Sequence, residues 1–122
     1  LSDFAASGDV VDLLVGSEGT LAIVVGAELA LAPAPGGRVA IAAAFPTLEA
    51  AVDAAGRAAG LGAATCELLD RTFLDLVREH GGRVSVPHEA EALLLSDAEG
   101  ATQAAADSVA AMVAQGFHDA GA

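Results

Sequence analysis

Two strand-like runs flank a helix-like run in RVAIAAAFPTLEAAVDAAGRAAGLGAATCELLD, residues 38–70. The apolar run 38–45 has the length of a buried strand, and AATCELL, 63–69, predicts a second one. Between them, Thr47 is placed to cap a helix N-terminus, with Glu49 favourable in its first turn. Glycines at 60 and 62 predict the helix end, because glycine adopts the left-handed conformation common there. The stretch therefore predicts a β-α-β unit.

The alternation of strand-like and helix-like runs continues to the C-terminus. Asp70 is a predicted N-cap for a helix over 71–80, which Gly81-Gly82 ends. The next extended segment lies within 83–97, with its clearest part at 92–96, and a final helix is predicted over 101–118. Helical spacing predicts three apolar faces: Leu48, Ala51, Val52, Ala55 and Ala59; then Phe73, Leu76 and Val77; then Ala105, Val109, Met112, Val113 and Phe117. The order β-α-β-α-β-α predicts an α+β fold, close to a ferredoxin-like sandwich that lacks its closing strand.

The N-terminal part follows a different pattern. Residues 9–15, DVVDLLV, fit either a short helix capped by Asp9 or a buried strand, and periodicity does not decide between them. Residues 16–19 predict a turn, and 20–31 predict a strand that is apolar on both faces and hence buried. APAPGG, 32–37, combines stiff prolines with free glycines and predicts a linker or domain boundary.

Composition excludes several classes of function. The 122 residues carry 17 Asp plus Glu, five Arg and no Lys, for a net charge of −12. Nucleic acids and anionic membranes are poor partners for such a chain, because both require basic groups. The most apolar stretch is too short to span a bilayer, and LSDFAASGD is no signal peptide, so we expect an acidic cytoplasmic protein. The missing initial Met suggests a chain cut from a longer one.

Candidate chemical groups are few. Cys66 is the only cysteine, in a context that predicts a structural role, and His80, His88 and His118 lack the spacing of a helical metal site. Glu67 and Asp70 make a weak acid–base pair, since Asp70 already serves as a cap. The glycines around Ser17-Glu18 match neither a P-loop, which requires a Lys, nor a dinucleotide fingerprint, which leads into a helix. No catalytic or metal-binding residue is predicted.

DLLVGSEGTLAIVV, residues 12–25, resembles a signature of FAD-linked oxidases of the vanillyl-alcohol oxidase/PCMH type, in the group of D-lactate dehydrogenase and the flavoprotein component of glycolate oxidase. That motif runs Gly-Ser-Glu-Gly-Thr-Leu-Gly-Ile-Val/Ile-Thr. Residues 16–21, 23 and 24 match it, whereas Ala22 replaces a glycine and Val25 a common threonine. FPTLEAAVDAAGRAAGLG and CELLD are similar to the opening of the family's cap domain, and EALLLSDAEG with the long helix after it resembles the next strand and helix of that domain.

The resemblance implies two domains: residues 1–35 as the end of a PCMH-type FAD-binding domain, and 36–122 as the N-terminal part of an incomplete ferredoxin-like cap. It implies FAD as cofactor, contacted largely through backbone by Gly16, Ser17, Glu18, Gly19, Thr20, Leu21, Ala22, Ile23 and Val24. The family's glycine-rich pyrophosphate loop and its His-x-Gly-Asp-Gly-Asn-x-His motif do not occur in the chain, so no catalytic residue is transferred.

The function implied by the resemblance is oxidation of a small 2-hydroxy acid, of the D-lactate or glycolate class, by hydride transfer to flavin. We expect this chain to be inactive on its own. Two alternatives stay open: a flavin-free α/β interaction module, and a non-redox flavoprotein similar to alkylglycerone-phosphate synthase. Two assemblies also stay open: a homodimer, and a complex with a separate redox protein.

Overall fold

The computed structural model describes residues 1–82 and 86–122, which divide into two compact units, Leu1–Pro33 and Ala34–Ala122. The first unit contains two short helices, α1 (Ser2–Ser7) and α2 (Val10–Leu14). Asp9 caps α2 by accepting a hydrogen bond from the Val11 amide at 2.9 Å, which decides between the helix and strand interpretations of 9–15. None of residues 1–33 is buried, so this unit has no core of its own.

The buried strand predicted over residues 20–31 is wrong for this structure. The segment has no regular secondary structure, and its large apolar side chains are exposed, with Ile23 at 89% and Val25 at 98%. A strand is stable only when a neighbouring strand pairs with its N–H and C=O groups. Within the described residues, no strand pairs with this segment.

The second unit is a three-stranded antiparallel sheet with helices. Its elements are β1 (Gly37–Phe45), α3 (Leu48–Ala58), a 3₁₀ turn (Ala59–Leu61), β2 (Ala63–Asp70), α4 (Arg71–Glu79), β3 (Ala92–Gly100) and α5 (Gln103–Asp119). The strand order is β1-β3-β2, with β3 antiparallel to both neighbours. β1 and β2 are therefore parallel to each other with β3 inserted between them, the split β-α-β arrangement of ferredoxin-like folds. The predicted α+β class and element order are confirmed.

The helix ends follow local sequence rules. Thr47 accepts a hydrogen bond from the Ala50 amide, Asp70 from Phe73, and Thr102 from Ala105. Each cap satisfies a backbone donor that the first helical turn leaves without a partner. Gly62 ends the 3₁₀ turn after α3 with a φ of 95°, as the glycine pattern predicts.

The core lies between one face of the sheet and helices α3 and α5. It is built from Phe45, Ala92 and Leu94 of the strands with Ala51, Ala54, Ala58, Val113 and Phe117 of the helices. The Phe45 and Phe117 rings meet edge to face, with centroids 6.1 Å apart. This geometry contributes about 0.5–1.5 kcal/mol beyond the area that the rings bury.

The predicted helix faces are partly wrong. In α3 the buried residues include Ala54 and Ala58, whereas Leu48 and Val52 are about half exposed. In α4 the buried residue is Leu74 and not Phe73 or Leu76, and in α5 Ala106 and Ala110 are buried instead of Ala105 and Met112. Alanine occurs all round α3 and α5, so hydrophobic spacing does not select one face of these two helices. In α3 and α5 the small alanine side chains face inward, where they allow close approach to the sheet.

The part of the predicted extended segment 83–97 that covers 83–85 lies outside the described residues.

Candidate functional site

The glycine-rich stretch that the sequence singles out forms a tight turn directly after α2. The Ser17 amide donates to the Leu14 carbonyl at 3.1 Å, and the Thr20 amide donates to the Ser17 carbonyl at 2.9 Å. The Thr20 hydroxyl donates to the same Ser17 oxygen at 2.6 Å. The predicted site residues 16–20 are thus brought together in one hydrogen-bonded turn.

Backbone conformation explains the two glycines of this turn. Gly16 and Gly19 have φ values of 77° and 78°, and Glu18 between them has 49°. A Cβ atom built on either glycine meets no atom within 4 Å, so crowding from the described residues does not require glycine there. Positive φ is what requires it, since side chains disfavour that region. Glu18 is the one non-glycine residue with positive φ in the described part of the chain.

The turn leaves two adjacent amides free. Within residues 1–82 and 86–122, the N–H groups of Glu18 and Gly19 donate to no protein acceptor, and both residues are exposed. Such neighbouring donors bind acceptor oxygens well. The Glu18 carboxylate beside them would repel a phosphate, so these two donors suit an uncharged carbonyl oxygen better than a phosphate group.

The other predicted contact residues, Leu21, Ala22, Ile23 and Val24, follow the turn without regular secondary structure. Ala22 is half-buried, and the other three are exposed. They offer apolar surface of the kind that packs on an aromatic ring system. The structure does not assemble them into a closed pocket.

A second candidate surface, which the sequence does not predict, is the sheet face opposite the core. Register places two rows of side chains across it: Ala40–Asp97–Thr65 and Ala42–Leu95–Glu67. They line a shallow depression of about 320 Å³. The small side chains of Ala40 and Ala42 leave space for this depression. The other two strands contribute a hydroxyl and two carboxylates, from Thr65, Glu67 and Asp97.

Hydrogen bonds fix the polar side of this depression. The Thr65 hydroxyl donates to Asp97 Oδ2 at 3.2 Å, and the Ser96 hydroxyl donates to the Thr65 carbonyl at 2.6 Å. Arg38, one row further along, forms an ion pair with Glu99, which raises the pKa of the guanidinium. The depression is therefore acidic, and its described lining residues include no cation for an anionic ligand. Only strand register brings Thr65 and Asp97 together, because 32 positions separate them in the sequence.

The remaining predicted groups have structural surroundings. Cys66 is half-buried against the core, and burial raises the pKa of its thiol, which disfavours the reactive thiolate. His80 ends α4, with its Nδ1 2.9 Å from the Leu76 carbonyl oxygen. Among the described residues, no three His, Cys, Asp or Glu side chains are grouped to hold a metal ion. In the same part of the chain, no helix has both the length and the apolarity needed to cross a membrane.

The split β-α-β sheet defines the second unit as an α+β domain of ferredoxin-like type. Residues 34–122 match the family model described as FAD linked oxidases, C-terminal domain. Because this match covers well over half of the chain, the chain belongs to the FAD-linked oxidase family. No curated protein and no solved structure gives a significant match.

Proposed function

We propose that this chain is part of an FAD-dependent oxidoreductase that oxidises a small 2-hydroxy acid of the D-lactate or glycolate class. Membership of the FAD-linked oxidases supports the flavin chemistry. The similarity of residues 12–25 to the signature shared by D-lactate dehydrogenase and the glycolate oxidase flavoprotein supports the substrate class. In this proposal residues 1–35 end the FAD-binding domain, and 36–122 begin the cap domain. A cytoplasmic location accords with the acidic composition.

The turn at residues 16–20 is the proposed point of contact with the cofactor. Bound FAD would accept the hydride that leaves the α-carbon of the substrate. The free amides of Glu18 and Gly19 would donate to flavin oxygens, and Ile23 and Val24 would cover an apolar edge of the ring. Gly16 and Gly19 would hold the turn in shape through their positive φ. These groups bind and orient, and none of them exchanges a proton with the substrate.

The proposal is tested with protein purified from the complete gene that encodes this chain. We expect flavin absorbance that co-purifies with the protein and bleaches when D-lactate or glycolate is added under anaerobic conditions, with L-lactate as the stereochemical control. The 122-residue chain alone should not bind FAD tightly at one-to-one stoichiometry. Retained flavin that no hydroxy acid bleaches would favour the non-redox, alkylglycerone-phosphate synthase-like alternative, and absence of flavin would favour the interaction module.

A pair of glycine variants tests the site residues separately. Gly19→Val places a β-branched side chain at a φ of 78°, so it should distort the turn and lower flavin occupancy. Gly26→Val is the matched control, because Gly26 has no positive φ and open space around it. Equal flavin content in the two variants would remove the turn from the proposed site.

A further inference from the structure

Helix α4 and residues 86–91 lie between two positions where the chain leaves and re-enters the sheet. The chain leaves β2 after Asp70 and re-enters the sheet at Ala92, and these two residues are register partners at the end of the β2–β3 ladder. Movement of α4 together with residues 86–91 therefore requires backbone rotation near these two points only, and it leaves the strand pairing intact. We call α4 and residues 86–91 the flap.

Few buried side chains hold the flap to the rest of the second unit. Leu74 is the one buried residue of α4, whereas α3 has three and α5 has four. Within residues 86–91, Ala90 is the one buried residue, and the Glu91 amide donates to the Phe45 carbonyl at 2.9 Å. Local opening costs less free energy where fewer apolar side chains are buried. The flap should therefore open more readily than the sheet with α3 and α5.

A network of polar contacts joins the two parts of the flap. Arg71 donates to Asp75 and Glu91, and Arg78 donates to Asp75 and to the Pro87 carbonyl, at distances between 2.8 and 3.2 Å. Exposed ion pairs contribute little singly and more when several charges form a network. Departure of α4 alone would break the contacts to Glu91 and Pro87, whereas joint movement of both parts keeps the whole network.

The burial of Leu93 indicates that one end of the sheet face opposite the core is covered. Side chains alternate along β3, so Leu93 and Leu95 both point away from the core residues Ala92 and Leu94. Leu93 is nevertheless 7% exposed, whereas Leu95 is 38% exposed. Leu74 is also buried outside the core, and α4 contacts β2, the strand that holds one register partner of Leu93. Both burials accord with a flap that lies over this end of the face.

We propose that the flap is a hinged cover, which opens as one unit about Asp70 and Ala92 with its polar network intact and thereby uncovers Leu93. The open state extends the depression beside Leu95 by one further row of the sheet, Ala44–Leu93–Leu69. This row is apolar, whereas each of the two rows that line the depression carries a carboxylate. Opening therefore adds an apolar patch to an acidic surface.

Thiol labelling of single-cysteine chains measures the opening. In the 122-residue chain, Cys66→Ser removes the one native cysteine. Leu93→Cys then reports on the covered end of the face, and Ala90→Cys reports on the second part of the flap. Leu95→Cys is the exposed control on the same face, and Ala98→Cys, at a fully buried core position, reports on global unfolding. With a water-soluble maleimide, the two flap reporters should react more slowly than Leu95→Cys and faster than Ala98→Cys.

Two further substitutions test whether the flap opens as one unit. Leu74→Val removes one methylene group from the buried contact of α4, and it should speed labelling at both flap reporters by the same factor, roughly fourfold. Leu76→Val makes the same change in the same helix at a half-exposed position, so it should have a much smaller effect. Asp75→Asn removes the carboxylate that both arginines share, and in that background Leu74→Val should affect Ala90→Cys less than Leu93→Cys.

Each contrary result would overturn one part of the proposal. If Leu93→Cys reacted as fast as Leu95→Cys, the flap would not cover this end of the face. Equal rates for Leu93→Cys and Ala98→Cys would mean that Leu93 is uncovered only by global unfolding. Labelling of Ala90→Cys that ignores Leu74→Val would show that the two parts of the flap move separately. Circular dichroism of each variant confirms that the fold is retained, so a change in rate reports on opening.

Discussion

Two glycines of the second unit lie where neighbouring atoms leave no space for a side chain. Gly37 and Gly100 are paired partners at the start of β1 and the end of β3. A Cβ on Gly100 would lie 2.6 Å from the Ala106 amide nitrogen and 2.8 Å from the Ala105 Cβ, because the first turn of α5 lies against the strand. A Cβ on Gly37 would likewise clash with the backbone of Gln103. The APAPGG motif predicts a linker at 32–37, yet its last glycine opens β1 and leaves room for α5.

Gly100→Ala should therefore lower the free energy of unfolding by about 1–3 kcal/mol, the usual cost of overpacking. The matched control is Gly56→Ala, in α3, where a Cβ meets no atom within 4 Å. That change should raise stability by roughly 0.5–1 kcal/mol, because alanine favours the helix more than glycine does. Urea titration followed by circular dichroism measures both values. Equal effects of the two substitutions would show that α5 does not lie against Gly100.

At the scale of elements, α4 is joined to the segment before β3 by arginines. Arg71 Nε donates to Asp75 Oδ2 at 2.8 Å, and Arg71 Nη1 to Glu91 Oε1 at 3.2 Å. Arg78 donates to Asp75 Oδ1 at 2.9 Å and to the Pro87 carbonyl at 3.1 Å. Asp75 therefore holds both arginines in position to contact the segment at 87–91.

The hydrogen bond from Arg71, with help from Arg78, lowers the pKa of the Asp75 carboxyl below its usual value. A lowered folded-state pKa stabilises the fold above the unfolded pKa of about 3.9, and this stabilisation disappears as pH falls through the folded value. Asp75→Asn should thus reduce stability near neutral pH, and its difference from the parent chain should vanish in strong acid. Asp53→Asn, which removes an exposed α3 carboxylate without an ion pair in the described residues, is the control. A difference independent of pH would contradict the ionic role of Asp75.

How far the sequence predicts these elements depends on the range of the interactions. Caps at Thr47 and Asp70 and the end at Gly62 involve neighbours within a few positions, and the sequence predicts them correctly. The pairing of Thr65 with Asp97, and the choice of Ala54 over Val52 as a buried residue, depend on strand register and on which helix face meets the sheet. Those are tertiary effects, which local patterns in an alanine-rich chain do not encode. Glycine spacing likewise predicts the turn at 16–20, whereas its role in flavin binding stays a prediction.

At the scale of the whole molecule, the two units differ in what stabilises them. The second unit has a core of buried aromatic and aliphatic side chains, whereas residues 1–33 contain no buried residue. Local opening costs little where few apolar contacts are made, so a protease should reach the first unit far more readily. Burial thus predicts a large contrast in protease resistance within one chain.

Thermolysin, which prefers large apolar residues, should cut first within residues 21–31, where Leu21, Ile23 and Val25 are exposed. The resistant product should begin near Ala34 and retain the sheet and α5. Mass spectrometry of a time course identifies the cleavage sites, and a digest in concentrated urea shows the pattern of the unfolded chain as a control. Early cleavage inside β3 or α5 would contradict a stable core in the second unit. If 21–31 were instead protected in protein that carries flavin, but not in the 122-residue chain, the protection would mark this segment as part of the cofactor site and strengthen the role proposed for residues 16–24.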